Sequence, residues 1–402
     1  MGSGMFVIPA TMGVLGAWAP VVIALCAFVM GAVTLCFAEA SSRMPQAGGI
    51  YGVTREALGP AAGAVVGGMI WLSSILAASG MLAAAIDQVA PFVPWMGSVV
   101  GRPLVIIATC LAFMWIPSRG ARQSAWASEV TTAIKVAPLL VFIGLVAMNP
   151  AAPAAPTATP TLSVLAPLMV LGIYLCAGVE SGMVMNGEVR DPVRALPRGL
   201  GGALVVYSAL AVAVQLAAAR ALGADLSASR APLVDAAMRL APSLAPVMAA
   251  GAIIAMLGSA AGLASTSPRM MYALAQDGLM PRLLARLHPV RRTPNTGIVV
   301  HGIIVAALSI TGEFTPLTIA ASLASMAVYV LGCIAALALR RRGVAEAGQV
   351  VAWRLTPIAA VIGIGANLAI ILGAPREKSL ALLVASLVFA GIATVRARAE
   401  AA

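Results

Sequence analysis

Charged side chains are scarce in this chain of 402 residues. Only 10% of them are Asp, Glu, Lys or Arg, and 61% are hydrophobic, whereas a soluble domain carries about 25% charged residues. Such a composition cannot cover a surface that faces water. The apolar residues come in runs of about 20, the length of a membrane-spanning helix, and not in the alternating segments of about 10 residues found in outer-membrane barrels. The sequence therefore predicts a polytopic helical membrane protein.

The chain is also poor in residues that hold metals or catalyse reactions inside membranes. Its five cysteines lie within apolar runs without C-x-x-C spacing, and its two histidines are far apart. A disulfide framework and a metal site are therefore not expected. Neither an H-E-x-x-H motif nor a pair of membrane aspartates is present. We expect no metal, no cofactor and no enzymatic activity.

The net charge of +11 does not indicate nucleic acid binding, because the basic residues are dispersed over short loops and do not form a patch. With a cytoplasmic N-terminus, eighteen of the 25 basic residues fall in inside loops and six in outside loops. This bias follows the positive-inside rule. We expect a multi-pass protein of the cell inner (cytoplasmic) membrane with both termini cytoplasmic and with the lipid bilayer as its surroundings.

Twelve apolar elements can be read between charged or Pro/Gly-rich breaks, and the first is unusually short. Their approximate ranges are 4–15, 17–40, 61–88, 103–117, 126–148, 164–187, 198–222, 246–275, 296–311, 315–339, 354–373 and 379–395. The uncharged Pro/Ala/Thr segment 150–161 is too polar to span and too rich in proline for a helix. It predicts an external linker between the fifth and sixth spans.

Two apolar elements contain residues that break helices at membrane depth. Gly2-Ser3-Gly4 opens the first element and Pro9 follows, while Ala177–Gly182 places two glycines and Glu180 inside the sixth span. Unwound backbone in a membrane costs several kcal/mol for each unpaired group unless a ligand or buried water satisfies it. Paired breaks in corresponding spans are typical of inverted-repeat transporters. The alternative is that these glycines only allow close helix packing.

A broken helix offers two kinds of backbone groups to a ligand. Free N–H groups at a half-helix N-terminus suit a carboxylate, and free carbonyls at a half-helix C-terminus suit an ammonium. An α-amino acid carries both groups. The pattern therefore favours an amino acid as the small-molecule substrate.

Four segments of the sequence resemble the amino acid/polyamine/organocation (APC) transporters, near the arginine/agmatine antiporter and neutral amino acid permease branches. These segments are GSGMFVIPA at 2–10, PQAGGIYGVTREALGP at 45–60, GVESGMVMNGEVRDPVRALPRG at 178–199 and SPRMMYALAQDGLMPRLLARLHPVRRTPN at 267–295. The resemblance implies an all-α integral membrane fold, a five-plus-five inverted repeat like that of the leucine transporter with two extra C-terminal helices, and alternating access.

The same resemblance implies the boundaries of the two repeats and an incomplete first helix. The first repeat covers 1–148, an external linker 149–163, the inverted second repeat 164–342, and two extra spans with a basic tail 343–402. Because the sequence begins at the central break of the first helix, we expect that helix to be N-terminally truncated. A homodimer is left open.

The family pattern assigns substrate-binding roles to residues of both breaks. Amides of Gly2, Ser3 and Gly4 would hold the substrate carboxylate. Carbonyls of Tyr174 and Ala177, next to Gly178, would hold the ammonium. The Tyr174 ring stands where the antiporter has a gating tryptophan, although an ordinary bundle aromatic remains the alternative.

Two ionisable residues are predicted to take part in coupling. Glu180 either senses or carries protons or ties helices together by hydrogen bonds. Lys135 would place its ammonium where sodium-coupled relatives bind their cation, near hydroxyls of the eighth span, of which Ser265 and Thr266 are candidates. This arrangement argues against sodium coupling. Lys135 could also exchange protons or serve as a permanently charged strut.

The pocket departs from the arginine-selective pattern at two positions. By motif alignment, Leu263 stands in place of a tryptophan and Ala78 in place of an asparagine. Ser322 is a further small residue of the pocket. A guanidinium would lose its stacking plane and its hydrogen-bond partner, so a neutral amino acid is favoured. The transport mode is left open between proton-linked uptake, exchange and export. A cationic amino acid/polyamine antiporter of the arginine/agmatine type is the alternative transporter. A non-transporting membrane sensor or scaffold is the alternative outside transporters.

Overall fold

A computed structural model describes most of the chain, namely residues 4–44, 49–90, 92–118, 136–149, 160–180, 192–345, 350 and 352–401. Within these ranges the secondary structure consists of α-helices and short 3-10 segments, without a β-strand. The predicted all-α fold is confirmed. The predicted linker 150–161 lies almost entirely outside the described residues.

The described residues of the first half form six helices. After a 3-10 turn, Gly4–Phe6, they are α1 Ile8–Met12, α2 Ala19–Arg43, α3 Gly49–Leu58, α4 Pro60–Val89, α5 Gly101–Ser118 and α6 Val136–Ala147. A 3-10 segment, Gly13–Trp18, separates α1 from α2, and within it Gly16 takes φ 54° and ψ −127°. Because that conformation is open to glycine and strained for other residues, Gly16 ends the first short element.

In the described residues of the second half we number eight helices. They are α7 Leu162–Cys176, α8 Pro192–Leu222, α9 Pro232–Leu240, α10 Ala245–Gln276, α11 Asn295–Thr311, α12 Phe314–Arg341, α13 Thr356–Gly373 and α14 Arg376–Ala401. Prolines at the first turn of α9, α10 and α13 favour helix starts there, since a missing N–H costs nothing at that position.

The helices match the predicted spans. In the described part of the chain, seven helices are long and apolar enough to cross a membrane, and four shorter apolar helices accompany them. Together with the short first element they correspond to the twelve apolar elements read from the sequence. The protein is an all-α integral membrane protein.

Helix α4 forms the centre of the bundle and α14 its edge. The apolar window of α4 is 83% buried and that of α14 only 6%. Helix α4 packs against α10 and α12, and α2 packs against α8. Without a hydrophobic driving force in lipid, such packing depends on close contact between helices.

Two helices lie between the spans and were not predicted. Helix α3 buries Ile50 and Tyr51 and exposes Arg55, while α9 buries Leu233 and exposes Arg239. Both are short and have apolar residues on one face only, so each can lie at an end of the bundle. We call the end that contains α3 and the C-termini of α2, α10, α12 and α14 the basic end.

Candidate functional site

The sixth span breaks where the sequence predicted a break. Helix α7 ends at Cys176, Ala177 is extended (φ −69°, ψ 156°), and Gly178 has φ 121°. Helical backbone resumes at Val179 and Glu180. The last turn of α7 therefore lacks the following N–H groups that would pair its carbonyls. The Tyr174 carbonyl is still paired, because the Ala177 N–H donates to it at 3.2 Å.

The first element meets this break directly. A Cβ on Gly4 would lie 3.0 Å from Leu175 Cδ2 and 3.6 Å from Tyr174 Cδ1. The absence of a side chain at Gly4 lets its backbone approach the end of α7. On the other side, Gln215 of α8 donates from Nε2 to the Pro9 carbonyl at 3.4 Å. The two irregular elements thus come together inside the bundle.

Glu180 is buried directly after the break and is held by neutral donors. Tyr329 donates from Oη to Oε2 at 2.9 Å, Ser325 donates to Oε1 at 3.5 Å, and the Gly178 N–H donates to Oε2 at 3.1 Å. Glu180 is 5% exposed and Tyr329 0%. The carboxyl group therefore links the segment after the break to α12.

One face of α12 supplies the partners of both α7 and Glu180. Ser322, Ser325 and Tyr329 are spaced by three and four residues, so they lie on one side of the helix. The Ser322 hydroxyl donates to the Val170 carbonyl of α7 at 2.7 Å. Our sequence reasoning missed Ser325 and Tyr329. Their spacing within an otherwise apolar run, FTPLTIAASLASMAVYVLG, was the signal that could have found them.

The aromatic ring of Tyr174 packs at the outer side of the break. It meets Phe314, the first residue of α12, edge to face with ring centroids 6.4 Å apart and an angle of 84°. Tyr174 is 8% exposed. The contact places an aromatic pair between α7 and α12, which is compatible with either a gate or ordinary packing.

The remaining predicted residues of α4 and α10 occupy helical positions. Ala78 is buried in α4 and Leu263 is half-buried in α10. Ser265 donates to the Ala261 carbonyl at 3.1 Å, and Thr266 donates to the Gly262 carbonyl at 3.3 Å. The fully buried Ser267 hydroxyl has no hydrogen-bond partner among the described residues.

Three predicted site residues lie outside the described residues: Gly2, Ser3 and Lys135. Their proposed roles remain predictions. The described residues contain no group of three or more His, Cys, Asp or Glu side chains that could hold a metal ion.

A buried ion-pair cluster joins three segments at the basic end. Glu39 of α2, 0% exposed, accepts hydrogen bonds from Arg43 Nη2 at 2.6 Å and from Arg340 Nη1 at 2.8 Å. Arg340 also donates to the Trp353 carbonyl at 2.8 Å. The cluster ties α2 to α12 and to the segment before α13.

A second polar cluster at the basic end joins α3 to α10. Asp277, which follows α10, accepts a hydrogen bond from Tyr51 and pairs with Arg55 at 2.5 Å. Burial, together with the hydrogen bond and charge of Asp277, raises the pKa of Tyr51. Burial alone lowers the pKa of Arg55, but the hydrogen bond and charge of Asp277 outweigh it, and the net pKa is raised. This contact holds α3 against the end of α10.

The central region offers backbone and side-chain hydrogen-bonding groups to a ligand. Helix-end carbonyls near Tyr174 can accept hydrogen bonds from an ammonium. The region therefore suits a small polar ligand that carries a cationic group.

Comparison with known proteins finds a match over nearly the whole chain. The family model described as "Amino acid permease" matches residues 1–392. The methylthioribose transporter of Bacillus subtilis is 25% identical over 365 residues, which cover 85% of this chain and 78% of that protein.

Two further relatives are similar at comparable identity. The branched-chain amino acid permease BcaP of Lactococcus lactis is 24% identical over 347 residues, covering 79% of this chain and 73% of that protein. An uncharacterized transporter of Mycobacterium tuberculosis is 28% identical over 296 residues, covering 71% of this chain. The match spans 65% of that mycobacterial protein, just under two thirds of its length.

Proposed function

Because this chain belongs to the amino acid permease family of the APC superfamily, we propose that it is a secondary active transporter of neutral amino acids that works by alternating access. Transport is sodium-independent and is either linked to protons or an exchange. The repeats lie at 1–148 and 164–342 in opposite orientations, both termini are cytoplasmic, and the site lies between the two broken elements.

The observation that carries this proposal is the contact between the two breaks. Gly4 lies against Tyr174 and Leu175, directly before the extended Ala177 and the positive φ of Gly178. The carbonyls that end α7 are therefore next to the 3-10 turn Gly4–Phe6 that opens the described part of the first element. A zwitterionic amino acid would bind its ammonium at the carbonyls that end α7 and its carboxylate at the amides of Gly2, Ser3 and Gly4.

The residues that the family pattern assigns to the pocket favour an uncharged substrate side chain. Ala78 and Leu263 offer neither a charge nor a hydrogen bond, and the Ser322 hydroxyl is engaged with Val170. A guanidinium or a polyamine would need a further carboxylate or amide partner, because the Glu180 carboxylate already accepts hydrogen bonds from Tyr329, Ser325 and the Gly178 N–H. The name of the Lactococcus relative supports branched-chain amino acids as the first candidates.

The coupling follows from Lys135 and Glu180. The Lys135 ammonium takes the place of a bound sodium ion, near the hydroxyls of Ser265 and Thr266. Glu180, held by Tyr329 and Ser325, connects the segment after the break to α12 and carries or senses the proton. Its hydrogen bonds with α12 close the path below the substrate.

A second candidate substrate is indicated by the name of the Bacillus relative. The match to the Bacillus relative covers 85% of this chain, and that relative is named for methylthioribose, an uncharged thioether sugar. The residues assigned to the substrate side chain, Ala78, Leu263 and Ser322, carry no charge, so an uncharged molecule can bind there as well as an aliphatic amino acid. We therefore include methylthioribose in the substrate panel.

Counterflow in proteoliposomes tests the proposal. Vesicles loaded with unlabelled leucine should accumulate labelled leucine, isoleucine and valine without sodium, and arginine, agmatine and polyamines should not compete. Imposing a pH gradient then separates proton-linked transport from exchange. A requirement for sodium would contradict the role of Lys135, and counterflow of arginine alone would contradict the neutral substrate. Counterflow of methylthioribose without amino acids would establish the second candidate instead.

A further inference from the structure

The edge helix α14 turns most of its apolar surface away from the bundle. Only 6% of its apolar window is buried. It is attached through Phe389, whose ring meets Trp71 of α4 edge to face at 6.5 Å. Residues on the neighbouring face of α14 stand away from the bundle and remain exposed.

A groove of about 530 Å³ runs along this face. Its apolar lining comes from one side of α14, at Leu387, Val388, Gly391, Ile392 and Val395. Eight residues of helix separate the first from the last, which corresponds to about 12 Å. A Cβ on Gly391 would meet nothing within 4 Å, so the groove is open at its middle. Its lining suits a hydrocarbon chain.

The groove ends at a guanidinium group at the basic end. Arg396 and Gly278 line that end, and a Cβ on Gly278 would overlap the Arg396 guanidinium. The positive φ of Gly278 (63°) turns the chain directly after α10. The exposed Arg282 follows on the same connection. Positive charge therefore meets the apolar groove at the level where a membrane helix leaves the hydrocarbon.

We propose that this groove binds one anionic phospholipid, with an acyl chain along Leu387–Val395 and the phosphate at Arg396. The guanidinium of arginine has five N–H donors and can therefore bind a phosphate beside a protein partner, and basic pockets at the cytoplasmic ends of membrane helices recognise lipid headgroups. An apolar groove with a guanidinium at one end matches a molecule that has both a hydrocarbon chain and an anionic group. The site does not depend on the transported substrate.

Native mass spectrometry of the purified full chain in detergent tests the headgroup part of this proposal. We expect one phosphatidylglycerol to bind at least fivefold more tightly than phosphatidylcholine. Arg396→Gln should abolish the preference. Arg376→Gln removes an exposed arginine at the opposite end of the same helix and should leave the preference unchanged. Equal binding of both lipids, or a preserved preference in Arg396→Gln, would overturn the proposal.

A groove-filling variant tests the acyl-chain part. A Cβ at position 391 meets nothing within 4 Å, and Gly391→Phe should reduce the adducts of both lipids at least fivefold. Gly365→Phe on α13, where a Cβ also meets nothing within 4 Å, should have no effect. Unchanged adducts in Gly391→Phe would contradict the assigned position of the chain. If Gly391→Phe instead converts dimers into monomers without changing lipid adducts, the groove is an interface between two copies and the lipid proposal is wrong.

Discussion

The centre of the bundle and its basic end hold buried carboxylates in opposite ways. Among the described residues, Glu180 is bonded by two hydroxyls and a backbone N–H, whereas Glu39 lies between the guanidinium groups of Arg43 and Arg340. A carboxyl group with neutral partners can change its protonation or its position without leaving a buried cation unpaired. A carboxylate between two arginines cannot. We therefore expect movement at the break in α7 and a fixed anchor at the contact between α2 and α12.

The largest effect is expected from Glu39→Gln. The variant leaves two guanidinium groups at a buried site with no anion, and breaking a buried ion pair in this way costs about 3–5 kcal/mol. We expect the midpoint of thermal unfolding in detergent to fall by roughly 5–10 °C. Glu56→Gln, at an exposed position of α3, is the control and should leave the midpoint unchanged. Equal midpoints for Glu39→Gln and the parent would show that Glu39 does not anchor α2 to α12.

The second effect concerns the break itself. Gly178 has φ 121°, and a side chain there introduces strain of about 1–3 kcal/mol. We expect Gly178→Ala to reduce leucine counterflow by roughly tenfold or more at equal protein density, while Gly202→Ala on the exposed side of α8 keeps normal rates. Normal counterflow in both variants would mean that the backbone at the break takes no part in transport.

The third effect separates the two roles of Glu180. As a proton carrier, the carboxyl group is essential and its partner is not, so Glu180→Gln should flatten the dependence of transport on pH while Tyr329→Phe preserves it. As a structural tie, Glu180→Gln and Tyr329→Phe should lower stability by similar amounts and leave the pH dependence intact. Uptake measured between pH 5 and 8, together with thermal unfolding, distinguishes these outcomes.

A smaller effect is expected at the ion pair that holds α3. The Arg55 side chain is 48% exposed and that of Asp277 26%, and such pairs contribute about 0.2–1 kcal/mol. Asp277→Asn should therefore lower stability by less than about 1 kcal/mol, and the difference should shrink as salt is added. A loss as large as that of Glu39→Gln would show that exposure does not separate the two clusters.

The smallest effect is expected at alkaline pH. Because the pKa of Tyr51 is raised above its ordinary value of 10.0 in the folded protein, its contribution to stability is complete below pH 10 and declines as the pH rises above it. Unfolding midpoints measured from pH 9 to 11 should therefore fall more steeply in the parent than in Tyr51→Phe. Parallel curves would contradict the raised pKa.

The sequence predicted the spans and the break, but not the contacts between distant helices. Long apolar runs mark membrane helices, and two glycines beside Glu180 mark a place where a helix cannot continue. The partners of Glu180 lie 145 and 149 residues away, and only the packing of α7 against α12 brings them together. Helices α3 and α9 were missed because each is too short for a span and its one-sided pattern matters only at the end of a bundle.

Binding of labelled leucine to the purified protein tests the central claim most directly. A scintillation proximity assay with the parent, Gly178→Ala and Gly202→Ala compares the break with an ordinary helical glycine. The account predicts saturable binding to the parent and to Gly202→Ala, competed by isoleucine and valine, and a loss of roughly tenfold or more in affinity for Gly178→Ala. Equal affinity in all three proteins would contradict a substrate site formed by the broken elements.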